Sequence, residues 1–170
     1  MSFTIRPAHP VDVSGIVAAE ISAGRTSLAD AERFTASISA AVADPARLVV
    51  VAEAQDDVNA DGGSAVVGWA KTHYWDSADG LALAGQYLGG VTVRPDFRRR
   101  GLAAQLTAVR LGWIWEHAEE AWYVVNARNE ASLALHRKWG FREVARGAGF
   151  HTVTFDGGEG VLLMAARPQG

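Results

Sequence analysis

The stretch Val91-Thr92-Val93-Arg94-Pro95-Asp96-Phe97-Arg98-Arg99-Arg100-Gly101-Leu102-Ala103 decides how this chain reads. A β-type run closes at Pro95, a short turn carries three consecutive arginines, and two small residues, Gly101 and Ala103, stand where an apolar helical pattern begins. The first turn of a helix offers backbone N–H groups without intrahelical partners and the positive end of the helix dipole, so it suits a phosphate. Gly101 has no Cβ and Ala103 only a methyl group, which lets a pyrophosphate approach the backbone closely. The guanidinium groups of Arg98, Arg99 and Arg100 can add charge-assisted hydrogen bonds. Standing alone, such a run would read as solvated charge. The strand, Pro95, Gly101 and the helix around it favour an anion-binding turn, and the lack of interleaved aromatic residues speaks against a nucleic-acid patch.

Outward from this turn, the pattern is that of a mixed α/β chain. Ahead of it lie a short strand over residues 3–6 and a helix from Val13 behind Asp12. A second helix spans residues 29–43, with Phe34, Ile38 and Val42 as its apolar stripe, and stops at Asp44-Pro45. A Val-rich buried strand covers 48–54, a polar hairpin loop 55–64, and further strands 66–75 and 86–94. After the turn, Leu102, Leu106, Val109 and Trp113 mark one face of a helix over 100–118. A strand at 122–126, a helix at 129–138 closed by Gly140, and strands at 141–146, 150–155 and 161–166 complete the chain. Hairpin-linked strands mixed with strand–helix–strand units predict a mixed α/β (α+β-type) sheet of about seven strands with helices on both faces. No internal repeat or linker interrupts residues 1–170, so a single domain is expected.

Composition narrows the function classes. The 170 residues carry 16 Lys and Arg against 19 Asp and Glu, a net charge of −3, and a nucleic-acid binder would instead carry a basic excess. No cysteine is present, which removes disulfide scaffolds, thiolate nucleophiles and cysteine-based zinc sites. The five histidines lack metal-ligand spacing, so no metal is expected. Apolar runs such as Leu48-Val49-Val50-Val51-Ala52 fall far short of the ~20 residues that span a bilayer. With no apolar leader in the opening residues, no membrane partner and a cytoplasmic location are expected. Other nucleotide motifs fail: in residues 63–72 the spacing of Gly68 and Lys71 does not make a P-loop, and no Gly-x-Gly-x-x-Gly precedes a helix.

A second segment, Asn129-Glu130-Ala131-Ser132-Leu133-Ala134-Leu135-His136-Arg137-Lys138-Trp139-Gly140-Phe141, places Asn129, Ser132 or Leu133, and His136 on one helical face. At 1.5 Å per residue that face is ~10 Å long, enough to touch separate parts of an elongated ligand. Taken singly, Asn129 also reads as an N-cap and His136 as a structural histidine.

Together the segments resemble the GNAT superfamily of N-acetyltransferases, which move an acetyl group from acetyl-coenzyme A to an amine. Arg98-Arg99-Arg100-Gly101-Leu102-Ala103 meets the family's Gln/Arg-x-x-Gly-x-Gly/Ala signature. Asn129, Leu135, His136, Gly140 and Phe141 meet its later block, and Ile5-Arg6-Pro7-Ala8 with Asp12 is similar to its opening. The resemblance runs from about Phe3 to Ala166.

It implies acetyl-coenzyme A as acetyl donor and the following roles. Backbone groups of Val91 and Val93 would pair with the pantetheine arm, and a bulge at Gly89-Gly90 would free an N–H to polarise the thioester carbonyl. The N–H groups from Arg99 through Ala104 would hold the pyrophosphate, and Asn129 would bond the pantetheine. Position 136 usually carries a tyrosine that protonates the leaving thiolate; here it is His136, as in some phosphinothricin-type acetyltransferases, acting as general acid or as a hydrogen-bonding group alone. Relatives often place a glutamate as base on the fourth or fifth strand, but the matching positions, Tyr87 or Leu88 and Val124, hold no carboxylate.

Base work would then fall to a water chain, Tyr87, His73 or Glu20. His73-Tyr74-Trp75 with Tyr87 reads equally as an acceptor pocket, ordinary strand packing or a homodimer surface. Without cysteine, direct attack in a ternary complex on a small primary amine is the leading expectation. A protein N-terminus or lysine as acceptor, and a non-catalytic acyl-coenzyme A sensor, are the alternatives.

Overall fold

Pro7 ends the first strand and Pro10 opens the turn behind it, so the chain enters its first helix within a few residues. The computed structural model describes residues 1–58 and 64–169. Within them the chain forms two compact units, Met1–Thr72 with Gly90–Arg110, and His73–Gly89 with Leu111–Gly170.

The first unit holds β1 (Phe3–Pro7), α1 (Val13–Ser22), α2 (Ala31–Ala43), β2 (Val49–Val58), most of β3 (Ser64–Trp75), the end of β4 (Gly85–Val93) and the first turns of α3 (Leu102–Trp115). The apolar run Val49-Val50-Val51-Ala52 is continuous because β2 is buried on both faces. Val49 and Val51 pack with Ile16, Ala19, Ile38 and Trp69, whereas Val50 and Ala52 pack with Val67, Leu102 and Leu106. Gly15 permits the close approach of α1, since a Cβ there would stand 2.9 Å from Val66 Cγ2.

Three expectations shift in this unit. The polar stretch expected as a loop over 55–64 is strand at both ends: β2 runs to Val58, β3 starts at Ser64, and residues 59–63 lie outside the described residues. In α2, Ile38 is fully buried with Ala41, while Phe34 and Val42 pack only partly buried at its margin. In α3, Leu102 and Leu106 are buried as expected, but Val109 is exposed and Trp113 only partly covered. Arg110 and Thr107 are buried instead. The helix is apolar nearly all round, so hydropathy alone does not select its inner face; Arg110 is accommodated by donating to the Lys71 carbonyl and the Thr107 hydroxyl.

The second unit contains the start of β4, the end of α3, β5 (Glu120–Asn126), α4 (Glu130–Arg137), β6 (Arg142–Gly147), β7 (Gly149–Phe150), β8 (Val153–Thr154) and β9 (Gly160–Ala166). The segment expected as one strand over 150–155 is a small β7–β8 hairpin turned at His151, which adopts φ +54°. At the other end of that hairpin the Phe155 ring lies where a Cβ on Gly160 would be, so only glycine fits there.

Hydrogen bonding orders seven strands as β1-β2-β3-β4-β5-β9-β6, with β7-β8 a separate pair. The sheet is mixed: β1–β2, β2–β3, β5–β9 and β6–β9 are antiparallel, and β4 pairs with β5 in parallel over Gln86–Leu88 and Ala121–Tyr123.

Candidate functional site

In the first unit, the arginine turn has a specific backbone shape. Arg94 N–H donates to Val67 O at 2.8 Å as β4 ends, and Pro95–Phe97 makes one 3-10 turn. Phe97 is buried edge-to-face against Phe3, and the guanidinium groups of Arg94 and Arg100 lie 5.3 and 5.6 Å from its ring centroid. Arg98 Nε donates to Val93 O at 3.2 Å.

Two residues then adopt the left-handed region, Arg99 at φ +63° and Gly101 at φ +78°. For Arg99 this conformation costs about 1 kcal/mol, a strain that loops carry where backbone groups must point a particular way. Turns of this kind gather successive N–H groups into a concavity that accepts anions. Gln105 N–H, donating to Gly101 O at 3.1 Å, starts the hydrogen-bond ladder of α3, so the N–H groups of Leu102, Ala103 and Ala104 precede it as first-turn donors. Arg98, Arg99 and Arg100 are exposed at this helix start.

The strand leading into the turn alternates. Val91 and Val93 pack partly buried with the Leu102–Leu106 cluster, while Thr92 is buried and its hydroxyl donates to Glu20 Oε1. β4 runs on through Gly89-Gly90 with neither glycine at positive φ, so the expected bulge does not take the left-handed glycine form. Glu20 is itself buried in α1, and the same Oε1 accepts from Trp69 Nε1 at 2.8 Å. Its other oxygen meets Thr26 Oγ1 at 3.5 Å. These donors hold the carboxylate between α1, β3 and β4.

In the second unit, Asn129 is the N-cap of α4: its Oδ1 accepts from Ser132 N–H at 3.2 Å. Leu133 and His136 are both buried on the inner face of that helix. His136 Nδ1 donates to the Ser132 carbonyl at 2.7 Å. The carbonyl has no hydrogen to give, so this contact fixes Nδ1 as the protonated nitrogen. The Tyr123 hydroxyl is hydrogen-bonded to Ser132 Oγ, and the Tyr123 ring stacks on the imidazole.

Tyr87 is buried on the other face of the same β4–β5 pair, stacked on Trp122 at 5.9 Å. Its hydroxyl donates to Leu83 O at 2.7 Å, and burial together with the nearby Asp79 charge raises its pKa well above that of a free phenol. Tyr87 is thereby held as the neutral phenol. Trp75 lies beside it in tilted contact with His73, whereas Tyr74 points outward and is exposed. The structure adds a residue that the sequence did not single out: His151 stacks flat on Trp75, with centroids 4.4 Å and planes 3° apart. Its Nε2 lies 3.1 Å from the Tyr87 hydroxyl. A lone histidine in a short β-type segment carries no spacing signal. Of the remaining base positions, Leu88 packs with Leu111 and Leu163, and Val124 lies partly buried beside the Tyr87–Trp122 cluster. Among the described residues, no cluster of His, Asp or Glu is arranged to hold a metal ion.

Residues 77–148 match the family model described as FR47-like protein. No curated protein sequence matches the chain. Among solved structures, the chain is similar to the ribosomal-protein-S18-alanine N-acetyltransferase of Escherichia coli at TM-score 0.71 and 17% identity, covering 99% of this chain and 96% of that one. It is similar to the GNAT superfamily phosphinothricin acetyltransferase of Sinorhizobium meliloti, in complex with acetyl-coenzyme A, at TM-score 0.69 and 19% identity, covering 100% and 91%. Against NAA60 of Arabidopsis thaliana, also in complex with acetyl-coenzyme A, the TM-score is 0.72 at 17% identity, covering 97% and 98%. The chain has the fold of the GNAT acetyltransferases.

Proposed function

From that fold, we propose that the protein is an N-acetyltransferase moving the acetyl group of acetyl-coenzyme A to a primary amine by direct attack. The observation that carries the reading is the turn itself: left-handed Arg99 and Gly101, three exposed guanidinium groups and the first-turn N–H groups of α3. A diphosphate offers the acceptor oxygens and negative charge that this arrangement matches. Binding of acetyl-coenzyme A by the phosphinothricin acetyltransferase and NAA60 structures supports the same donor here. The absence of cysteine excludes a cysteinyl acyl-enzyme and supports one-step transfer.

In that reaction the amine nitrogen bonds to the acetyl carbon, the carbon–sulfur bond breaks, and the thiolate gains a proton. An alkylamine near pKa ~10 is neutral in only about one molecule in a thousand at pH 7, so a group that removes its proton accelerates the step. His136 is the proposed proton source for the thiolate, and Asn129 the proposed pantetheine contact.

A small acceptor is proposed because neither a basic nor an acidic excess marks the chain for a macromolecule. Titration calorimetry with coenzyme A, followed by thiol-release assays over amino acids, polyamines, aminoglycosides and peptides, tests the reading. Heat of binding with turnover of a small amine is expected. Turnover of peptides alone would move the acceptor to protein, binding without turnover would make the chain a sensor, and no heat at all would end the reading.

A further inference from the structure

We propose that His151 is the general base of the transfer, taking the proton of the acceptor ammonium at Nδ1, with Tyr87 and Asp79 as positioning residues. The proposal rests on the acetyl-transfer reading and names the base that the sequence leaves open.

Hydrogen-bond accounting fixes the imidazole. The Tyr87 hydroxyl has one hydrogen, and it points to the Leu83 carbonyl, which can only accept. The contact between Tyr87 and His151 Nε2 at 3.1 Å therefore needs its hydrogen from the histidine. Nε2 is the protonated nitrogen, so in the neutral ring Nδ1 carries the lone pair. Among the described residues, no hydrogen bond is made to Nδ1, and the residue is only partly buried.

Three contacts from three segments hold this ring. Trp75 of β3 stacks on its face, Tyr87 of β4 binds Nε2, and Asp79 of the β3–β4 connection accepts from the His151 backbone N–H at 2.6 Å. The backbone at His151 is left-handed, φ +54°, a conformation that histidine adopts more often than most residues but that still requires support. The Trp75 ring on which the imidazole stacks is also touched by His73 of the same strand.

Two of the other candidate bases are occupied differently. Glu20 Oε1 accepts from two buried donors, and burial keeps Tyr87 protonated. His151 and His136 also stand on opposite faces of one ladder. Tyr87 and Trp122 pack on the His151 side, whereas Leu88 and Tyr123 pack on the His136 side. One proton thus leaves the ammonium to Nδ1 of His151. The neutral amine attacks the acetyl carbon, and the carbon–sulfur bond breaks with its electron pair on sulfur. His136 gives the thiolate a proton, and the nitrogen loses its second proton to solvent, from which His136 is reprotonated.

The test uses His151→Gly, which suits the left-handed backbone and removes only the ring. With coenzyme A affinity unchanged, kcat should fall by about 100-fold, the acidic limb of the kcat/KM profile should flatten, and added free imidazole should restore part of the rate. Tyr87→Phe should lower kcat by about tenfold and leave KM near that of the parent. If the parent acetylates amines and His151→Gly retains kcat within about twofold with an unchanged pH profile, the base assignment is overturned and the acetyl-transfer reading stands. A fall in rate that imidazole does not reverse also overturns it. If the parent turns over no amine, the acetyl-transfer reading fails and the base assignment falls with it.

Discussion

The His136 imidazole lies flat on the Tyr123 phenol, with ring centroids 3.9 Å apart and planes 13° from parallel. Since Nδ1–H is held by the Ser132 carbonyl, a proton can be delivered from Nε2 only when the ring is imidazolium. His136→Phe keeps an aromatic ring in the slot and removes the proton. We expect a folded protein whose kcat is lower by roughly 10- to 100-fold, with the parent's loss of activity toward high pH abolished. Parent-like kcat across the pH range would remove His136 from the chemistry.

Gly101→Glu addresses the proposed diphosphate site at the arginine turn. At φ +78° any side chain strains the backbone by about 1 kcal/mol, and a carboxylate there opposes an incoming anion. Coenzyme A affinity should drop by at least about 100-fold, measured by calorimetry, while the thermal midpoint without ligand falls only modestly. An unchanged Kd would mean that the diphosphate binds elsewhere.

Glu20 distinguishes structure from catalysis. Glu20→Ala strands the Trp69 indole N–H and the Thr92 hydroxyl and should cost about 2–4 kcal/mol in urea unfolding. Glu20→Gln keeps a carbonyl oxygen for the indole and should cost about 1 kcal/mol with little change in kcat/KM. A large loss of kcat in a well-folded Glu20→Gln would instead return this carboxylate to the list of bases.

Arg6 bridges two acids, donating to Asp12 at 2.8 Å through both terminal nitrogens and to Glu53 through Nη2 at 2.7 Å. Hydrogen bonding by Arg6 holds the Asp12 carboxyl below its ordinary value of 3.8. A depressed folded-state pKa gives stability that is present above the unfolded value and is lost as pH falls through the folded one. Unfolding free energy should therefore decline below about pH 4, and Asp12→Asn should flatten that decline. Arg6→Ala, which leaves both carboxylates without their cation, should cost about 2–4 kcal/mol at pH 7.

Much of the fold follows from local signals that the structure obeys. Pro7, Pro45 and Pro95 stop elements, Asn129 caps α4, and Gly140 at φ +83° turns the chain behind it. The arginine turn was readable as a turn before a helix because Pro95, the three arginines and Gly101 lie within one short run of sequence. What failed to show was long-range or all-round. The inner face of α3 is hidden by apolar residues on every side, and β2 continues past Ala54 through an irregular stretch to a pairing of Val58 with Ser64 that the polar residues between them do not announce. His151 meets Tyr87 across 64 residues, and nothing in the sequence around position 151 announces it.

Phe97, the buried ring beneath Arg94 and Arg100, has a further consequence. Two like charges share one aromatic partner, and their mutual repulsion is relieved in part by Asp96, 3.6 Å from Arg94, and further by dissolved electrolyte. Added salt should thus steady the turn, so the thermal midpoint of the protein should rise with ionic strength through this pair of charges.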